Sequence, residues 1–152
     1  MIAEIKLENT ACVVVENNGK LLLVKRANEP FSGYWAVPGG HSENGEISSK
    51  TAKRESMEEI GQVDIDPEPF HIFIHDWFAD KHTPKTHQHK CHAFRARIGG
   101  EIRAGSDAAE IGWFSKEEVQ SLNLTVYTQL ILEKMGWGNF NNRRKNSVTV
   151  RL

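Results

Sequence analysis

Hydrophobic positions in the first third of the chain come in two short apolar runs, 11–15 and 21–26, separated by a polar stretch that contains Asn18 and Gly19. An Asn-Gly pair tolerates the positive φ angles of a tight turn, so the pattern predicts a β-hairpin. From 27 to 40 the pattern breaks up around Pro30, Gly33, Pro38, Gly39 and Gly40, which predicts a shaped loop with a short strand over 34–37. A helix is predicted over 46–60, with Gly61 as its stop. Two segments rich in aromatic and β-branched residues, 70–78 and 89–98, read as strands joined by a polar link, and 111–114 reads as a further short strand. Ser115 and Glu118 have the spacing of a capping box and open a short helix. Val126, Leu130, Ile131 and Met135 recur at helical spacing, which predicts a helix over 126–135 before Gly136. The tail from 136 is polar and basic, but 147–152 alternates like a strand that pairs with the body or with another subunit. There is no internal repeat and no low-complexity tract.

A chain of 152 residues suits one compact unit with a sizeable core. We expect a single domain over 1–152, with its core at about 10–135 and the tail as an addition. Hydrophobic residues make up 39% and charged residues 26%, which fits a folded protein rather than a disordered or membrane one. The net charge of -1 provides no global field for a polyanion, so any such recognition must be local. Two cysteines, Cys12 and Cys91, are too few for a disulfide framework and are expected as reduced thiols. The N-terminal segment lacks the apolar centre of a signal peptide, and no stretch reaches the roughly 20 apolar residues of a membrane span. The expected compartment is the cytoplasm.

The candidate chemistry lies in the helix over 46–60. At about 100° per residue, Glu55, Glu58 and Glu59 fall in one narrow arc, with Ser48, Thr51 and Ala52 small on the same face. Like charges at such spacing cost roughly 0.2–0.5 kcal/mol per pair, so a cation is the natural compensator. Carboxylate oxygens with water suit Mg²⁺, with Mn²⁺ able to substitute. An ordinary solvated acidic face is the alternative. It explains less, because the apolar residues Ile47, Met57 and Ile60 make no stripe and Pro38, Gly39 and Gly40 permit close approach of a ligand to the backbone.

Gly40, then Glu46 after five residues, then Arg54, Glu55, Glu58, Glu59 and Gly61 after seven more together resemble the Nudix box. Every fixed glycine and polar position of that pattern is filled. Ser56 and Gln62 stand where the family has aliphatic residues, and Val63 is the candidate for the missing apolar contact. The resemblance extends to 21–26, Gly33 to Trp35, Pro38 to Gly40 and 110–114. It implies an α/β/α sandwich, with a mixed β-sheet between helices.

By position, the resemblance makes Glu55, Glu58 and Glu59 metal ligands, adds the Gly40 carbonyl, and gives Arg54 and Glu46 supporting parts that orient the glutamates. It implies attack of water on a phosphorus of a diphosphate, with Glu55 or Glu59 as base and Asp107 or Glu110 as the lesser candidates. The substrate implied is a small nucleotide, first a nucleoside triphosphate cleared in a housecleaning, MutT-like role. The alternatives are a nucleoside diphosphate sugar of the ADP-ribose or GDP-mannose type, and a non-catalytic nucleotide sensor. Nucleic acid is not expected as a partner, capped RNA excepted, and the chain is expected as a monomer or homodimer.

Weaker signals surround this set. Lys25 and Arg26 end a strand ahead of the glycine-rich loop and could reach phosphates; solvated surface cations are the alternative. Trp77 and Phe78 are the best candidates for stacking on a base, although Trp35, Trp113 and Trp137 read as core. His82, His87, His89 and His92 crowd near Cys91, and His87, His89 and Cys91 share one strand face. That stripe lacks the paired spacing and fourth partner of a structural zinc site, so polar histidines or a substrate contact are the expected reading.

Overall fold

The computed structural model describes residues 6–29, 31–77, 87–105, 108–144 and 149–151. Among the described residues, nine strands and three α-helices follow in the order β1 Lys6–Asn17, β2 Lys20–Arg26, β3 Trp35–Ala36, β4 Gly39–His41, α1 Ser48–Glu59, β5 Gly61–Ile65, β6 His71–Trp77, β7 His87–Ile102, β8 Ala108–Phe114, α2 Lys116–Val119, α3 Val126–Lys134 and β9 Thr149–Arg151. The expected hairpin forms, and Asn18 and Gly19 both take positive φ, 53° and 74°, as a primed turn requires. Ser115 and Glu118 bond reciprocally at the start of α2, completing the expected capping box.

The sheet is mixed. Its path runs β3-β2-β1-β7-β6-β9, with β4 on β1, β5 on β7 and β8 on β2. The long central pair β1 and β7 is parallel, while the other paired strands are antiparallel. Alternation along β1 divides the core in two. Cys12 and Val14 face a cluster that includes Leu21, Leu23, Phe73, Leu130, Ile131 and Trp137, covered by α3. Ala11, Val13 and Val15 face the other way, onto Leu22, Phe94, Ala52 and Ile60 under α1. Strands buried on both faces lose alternation and read as continuous apolar runs, which is why 11–15 and 21–24 are so uniform. The expected three-layer α/β/α arrangement is thus realised.

Several boundaries differ from the sequence reading. The helix begins at Ser48 rather than at 46, because Glu46 folds back to hydrogen-bond the Glu43 amide and Arg54 instead of continuing the helical turn. Gly39–His41 forms a strand on β1 where a loop was expected, and β5 follows immediately on the Gly61 stop. Gly39 can pair there because it has no side chain; a Cβ would press on the Ala11 carbonyl and Cys12. The α1 face toward the sheet is made of small residues, with Thr51, Ala52 and Ser56 buried, while Ile47 and Met57 point to solvent. Ser56 meets its burial by donating its hydroxyl to the Lys53 carbonyl, and Val63 joins Ala52 and Ile60 in the core. The final strand is β9, which pairs with β6 of the same chain.

Candidate active site

The centre of the site is the junction of β4 and α1. Gly40 faces α1 so closely that a Cβ there would overlap the Glu55 carboxyl group. The Gly39 amide donates to Glu59 Oε2 at 3.3 Å. The two glycines therefore let the backbone approach the carboxylates as no larger residue could. The far end of α1 is fixed as well. Gly105 donates its amide to the Glu59 carbonyl at 2.7 Å and Arg103 to the Ile60 carbonyl at 2.8 Å, which satisfies carbonyls that a helix end leaves open. A Cβ on Gly105 would overlap the Glu58 carbonyl.

Arg54 organises the acids. Its Nε and Nη2 each donate to Glu46 at 3.0 Å, Nη1 donates to Glu55 Oε1 at 2.9 Å, and Nη2 also reaches the His41 carbonyl at 2.9 Å. Glu58 Oε1 lies 3.5 Å from Nη1, with its side chain half exposed. A hydroxyl chain backs the fork from below, with Ser42 Oγ 2.8 Å from Thr51 Oγ1, which donates to Glu46 Oε1 at 2.7 Å. The Arg54 guanidinium, followed by the Glu43 amide and Thr51, holds the Glu46 carboxyl down at about 2. Arg54 is raised in turn, chiefly by Glu46 and despite its partial burial.

Beside these acids opens a cleft lined by Val24, Arg26, Asn28, Gly40, Glu55 and Glu59. It continues into a cavity walled also by Cys12, His75, His89 and Cys91, with Arg26, Gly39, Gly40, His41 and Tyr127 common to both. Glu55 and Glu59 line the cleft, whereas Glu58 does not. Tyr127 donates its hydroxyl to the Val37 carbonyl at 3.0 Å, and burial, then the nearby Glu59, pushes its pKa well up, so it stays a neutral phenol. Cys12 and Cys91 are thiols with sulfurs 3.5 Å apart, and that contact, with burial, raises Cys12.

The structure brings Gly40, Glu46, Arg54, Glu55, Glu58 and Glu59 together, with Arg26 across the cleft. It separates others. Lys25 and Glu110 face each other on β2 and β8 in a 3.3 Å ion pair, and neither lines the cleft or the cavity. Trp77 ends β6, but its side chain, like Phe78, His82 and Asp107, lies outside the described residues. Among the clustered histidines, His89 turns into the cavity, whereas His92 Nδ1 donates to the Thr10 carbonyl at 3.3 Å and does not line it. His41, His75 and Tyr127 were not singled out from sequence. His75 shares the buried face of β6 with Phe73, two residues away, which is a signal the strand pattern carries, but nothing local marks Tyr127.

Comparison with known proteins shows the family of the chain. The family model described as the NUDIX domain matches residues 6–133. An ADP-ribose pyrophosphatase of Methanocaldococcus jannaschii is 31% identical over 126 residues, covering 83% of this chain and 72% of that protein. A nucleoside triphosphatase NudI of an Enterobacter species is 27% identical over 132 residues, covering 82% of this chain and 94% of the relative. A MutT NUDIX hydrolase of Burkholderia pseudomallei shares the fold with a TM-score of 0.71 at 24% identity, over 84% of this chain and 97% of that one.

Proposed function

The chain belongs to the Nudix hydrolase family, and from that premise we propose that it hydrolyses a nucleoside triphosphate with Mg²⁺ held by Glu55, Glu58, Glu59 and the Gly40 carbonyl. At the coarser level it is a hydrolase of acid anhydrides acting on nucleoside diphosphate-linked substrates. The observation that carries the reading is the close approach of Gly39 and Gly40 to the carboxylates of Glu55 and Glu59 at the mouth of one cleft. The donors offered there are all oxygens, which suits a hard divalent ion, and the glycine cradle leaves room that a Cβ would fill.

Mg²⁺ in this position would neutralise charge on the diphosphate and lower the pKa of the attacking water. The protein's own residues do the rest. Arg54, locked by Glu46, holds Glu55 in orientation by a charge-assisted bond. Arg26, lining both the cleft and the cavity behind it, binds phosphate oxygens. Glu55 or Glu59 accepts the proton of the water as its oxygen bonds to phosphorus, and the bridging oxygen leaves on the other phosphate. The cavity beyond, walled by His75, His89 and Tyr127, receives the far end of the nucleotide.

The triphosphate reading rests on the match to the triphosphatase NudI over nearly its full length. The identity to the ADP-ribose pyrophosphatase favours a second reading, a nucleoside diphosphate sugar. Two buried free thiols, Cys12 and Cys91, support reading this as a cytoplasmic enzyme. No helix among the described residues is long and apolar enough to cross a membrane. Phosphate and pyrophosphate release from nucleoside triphosphates, nucleotide sugars and capped RNA, with and without Mg²⁺, tests the proposal. Metal-dependent turnover of triphosphates is expected; turnover confined to nucleotide sugars would move the assignment to the second reading, and nucleotide binding without turnover would overturn both.

A further inference from the structure

Behind the acidic helix, three strands bring together ligands of a different kind. Glu8 on β1 is paired in register with His89 on β7, and His41 on β4 stands opposite Thr10, two residues from Glu8 on the same face. Their side chains converge so that one ligand atom from each lies within 4.8 Å of the others. His41 Nε2 is 2.9 Å from Glu8 Oε2 and 3.3 Å from His89 Nε2. The second carboxylate oxygen, Oε1, turns to Lys6 Nζ at 3.6 Å.

We propose that Glu8, His41 and His89 form a second metal site, selective for zinc, on the wall of the substrate cavity and distinct from the carboxylate site on α1. Zinc bonds of about 2.0–2.1 Å at a tetrahedral angle put two imidazole nitrogens about 3.3 Å apart, the separation found between His41 and His89. One proton on His41 Nε2 can address the carboxylate and the second imidazole only as a three-centre bond, whereas a cation takes a lone pair from all three at once.

The donor sets of the two sites differ in kind. Two imidazoles and one carboxylate favour a borderline ion such as Zn²⁺, while the all-oxygen set on α1 favours Mg²⁺. Three protein ligands leave a fourth position, and because His41 and His89 both line the cavity, a water or a substrate oxygen fills it from that side. Zinc here would also tie β4, the strand that carries Gly40, to β1 and β7.

The test is metal binding without substrate. The full chain is titrated with Zn²⁺ against a chromophoric chelator in millimolar Mg²⁺, and separately with Co²⁺ for the visible spectrum of a tetrahedral N-ligated ion. We expect one equivalent that Mg²⁺ does not displace, in the wild type and equally in Glu59→Gln. In His41→Gln and Glu8→Gln, affinity is expected to fall at least about 10-fold. The His41 side chain is 56% exposed, so its replacement leaves the core intact, and circular dichroism checks that. Absence of an Mg²⁺-resistant equivalent would overturn the proposal. So would an equivalent lost in Glu59→Gln and retained in His41→Gln, which would place the zinc on α1. Neither result depends on turnover, so the outcome is separate from that of the hydrolase assay.

Discussion

Arg54 grips Glu46 through two parallel hydrogen bonds, Nε to Oε2 and Nη2 to Oε1, each 3.0 Å long, and turns its remaining nitrogen to Glu55. The pair sets the position of the carboxylate that the cleft exposes. Lysine cannot reproduce this, because a single ammonium lacks the planar fork that addresses two carboxylates at once. Arg54→Lys is expected to lower kcat by about 10- to 100-fold and to raise the Mg²⁺ concentration for half-maximal activity, while the melting temperature changes little. Steady-state rates over a Mg²⁺ titration check it.

The same pair makes a pH statement. Glu46 ionises at about 2 in the folded chain against an ordinary 4.5, so the folded state prefers the carboxylate. A depressed carboxylate contributes stability that is complete above the unfolded value and fades as pH falls through the folded one. The stability gap between wild type and Glu46→Gln is therefore expected to be constant above about pH 5 and to narrow steadily toward pH 2. Urea unfolding of both proteins across that range measures it; a gap that widened on acidification would contradict the pairing.

Gly40→Ala separates site geometry from folding. The atoms that a methyl group would meet belong to the end of the Glu55 side chain, which can swing aside. The variant is expected to fold with a melting temperature near that of the wild type and to lose at least about 10-fold in kcat, because the carboxylate is displaced from the proposed metal position. Thermal unfolding and initial rates together decide this.

Packing of α1 onto the sheet rests on a few side chains. Ile60 is wholly buried in the cluster with Ala52, Val63 and Phe94, while Met57 is 52% exposed. Ile60→Ala is expected to cost about 2–5 kcal/mol, the range for a large-to-small change in a closed core. Met57→Ala should stay within about 0.5 kcal/mol. Denaturant midpoints of the two variants make the comparison.

The sequence was most legible where the cause was local. The Asn18-Gly19 turn, the Gly61 stop, the Ser115 and Glu118 box and the carboxylate arc on α1 all depend on residues within a few positions of one another. The doubly buried runs on β1 and β2 announced themselves by uniform apolar character. Legibility failed where partners are distant in the chain. Glu8, His41 and His89 meet only because a parallel pairing sets β1 beside β7 and an antiparallel one adds β4, and no local pattern encodes either register. Lys25 looked available for phosphate, and Glu110 as a lesser base, because the β2 to β8 pairing that joins them is equally invisible in the sequence. The start of the predicted helix over 46–60 fails for the same reason, because the bond of Glu46 to Arg54 is tertiary and draws it out of the helical turn.

The central claim is that carboxylates of α1 hold the ion on which hydrolysis depends, and Glu59→Gln tests it most directly. The substitution keeps shape and can still accept the Gly39 amide bond, but removes the charge. Turnover of a nucleoside triphosphate should fall at least about 100-fold at saturating Mg²⁺, with circular dichroism and melting temperature unchanged. Turnover close to that of the wild type in a folded Glu59→Gln protein would contradict the assignment.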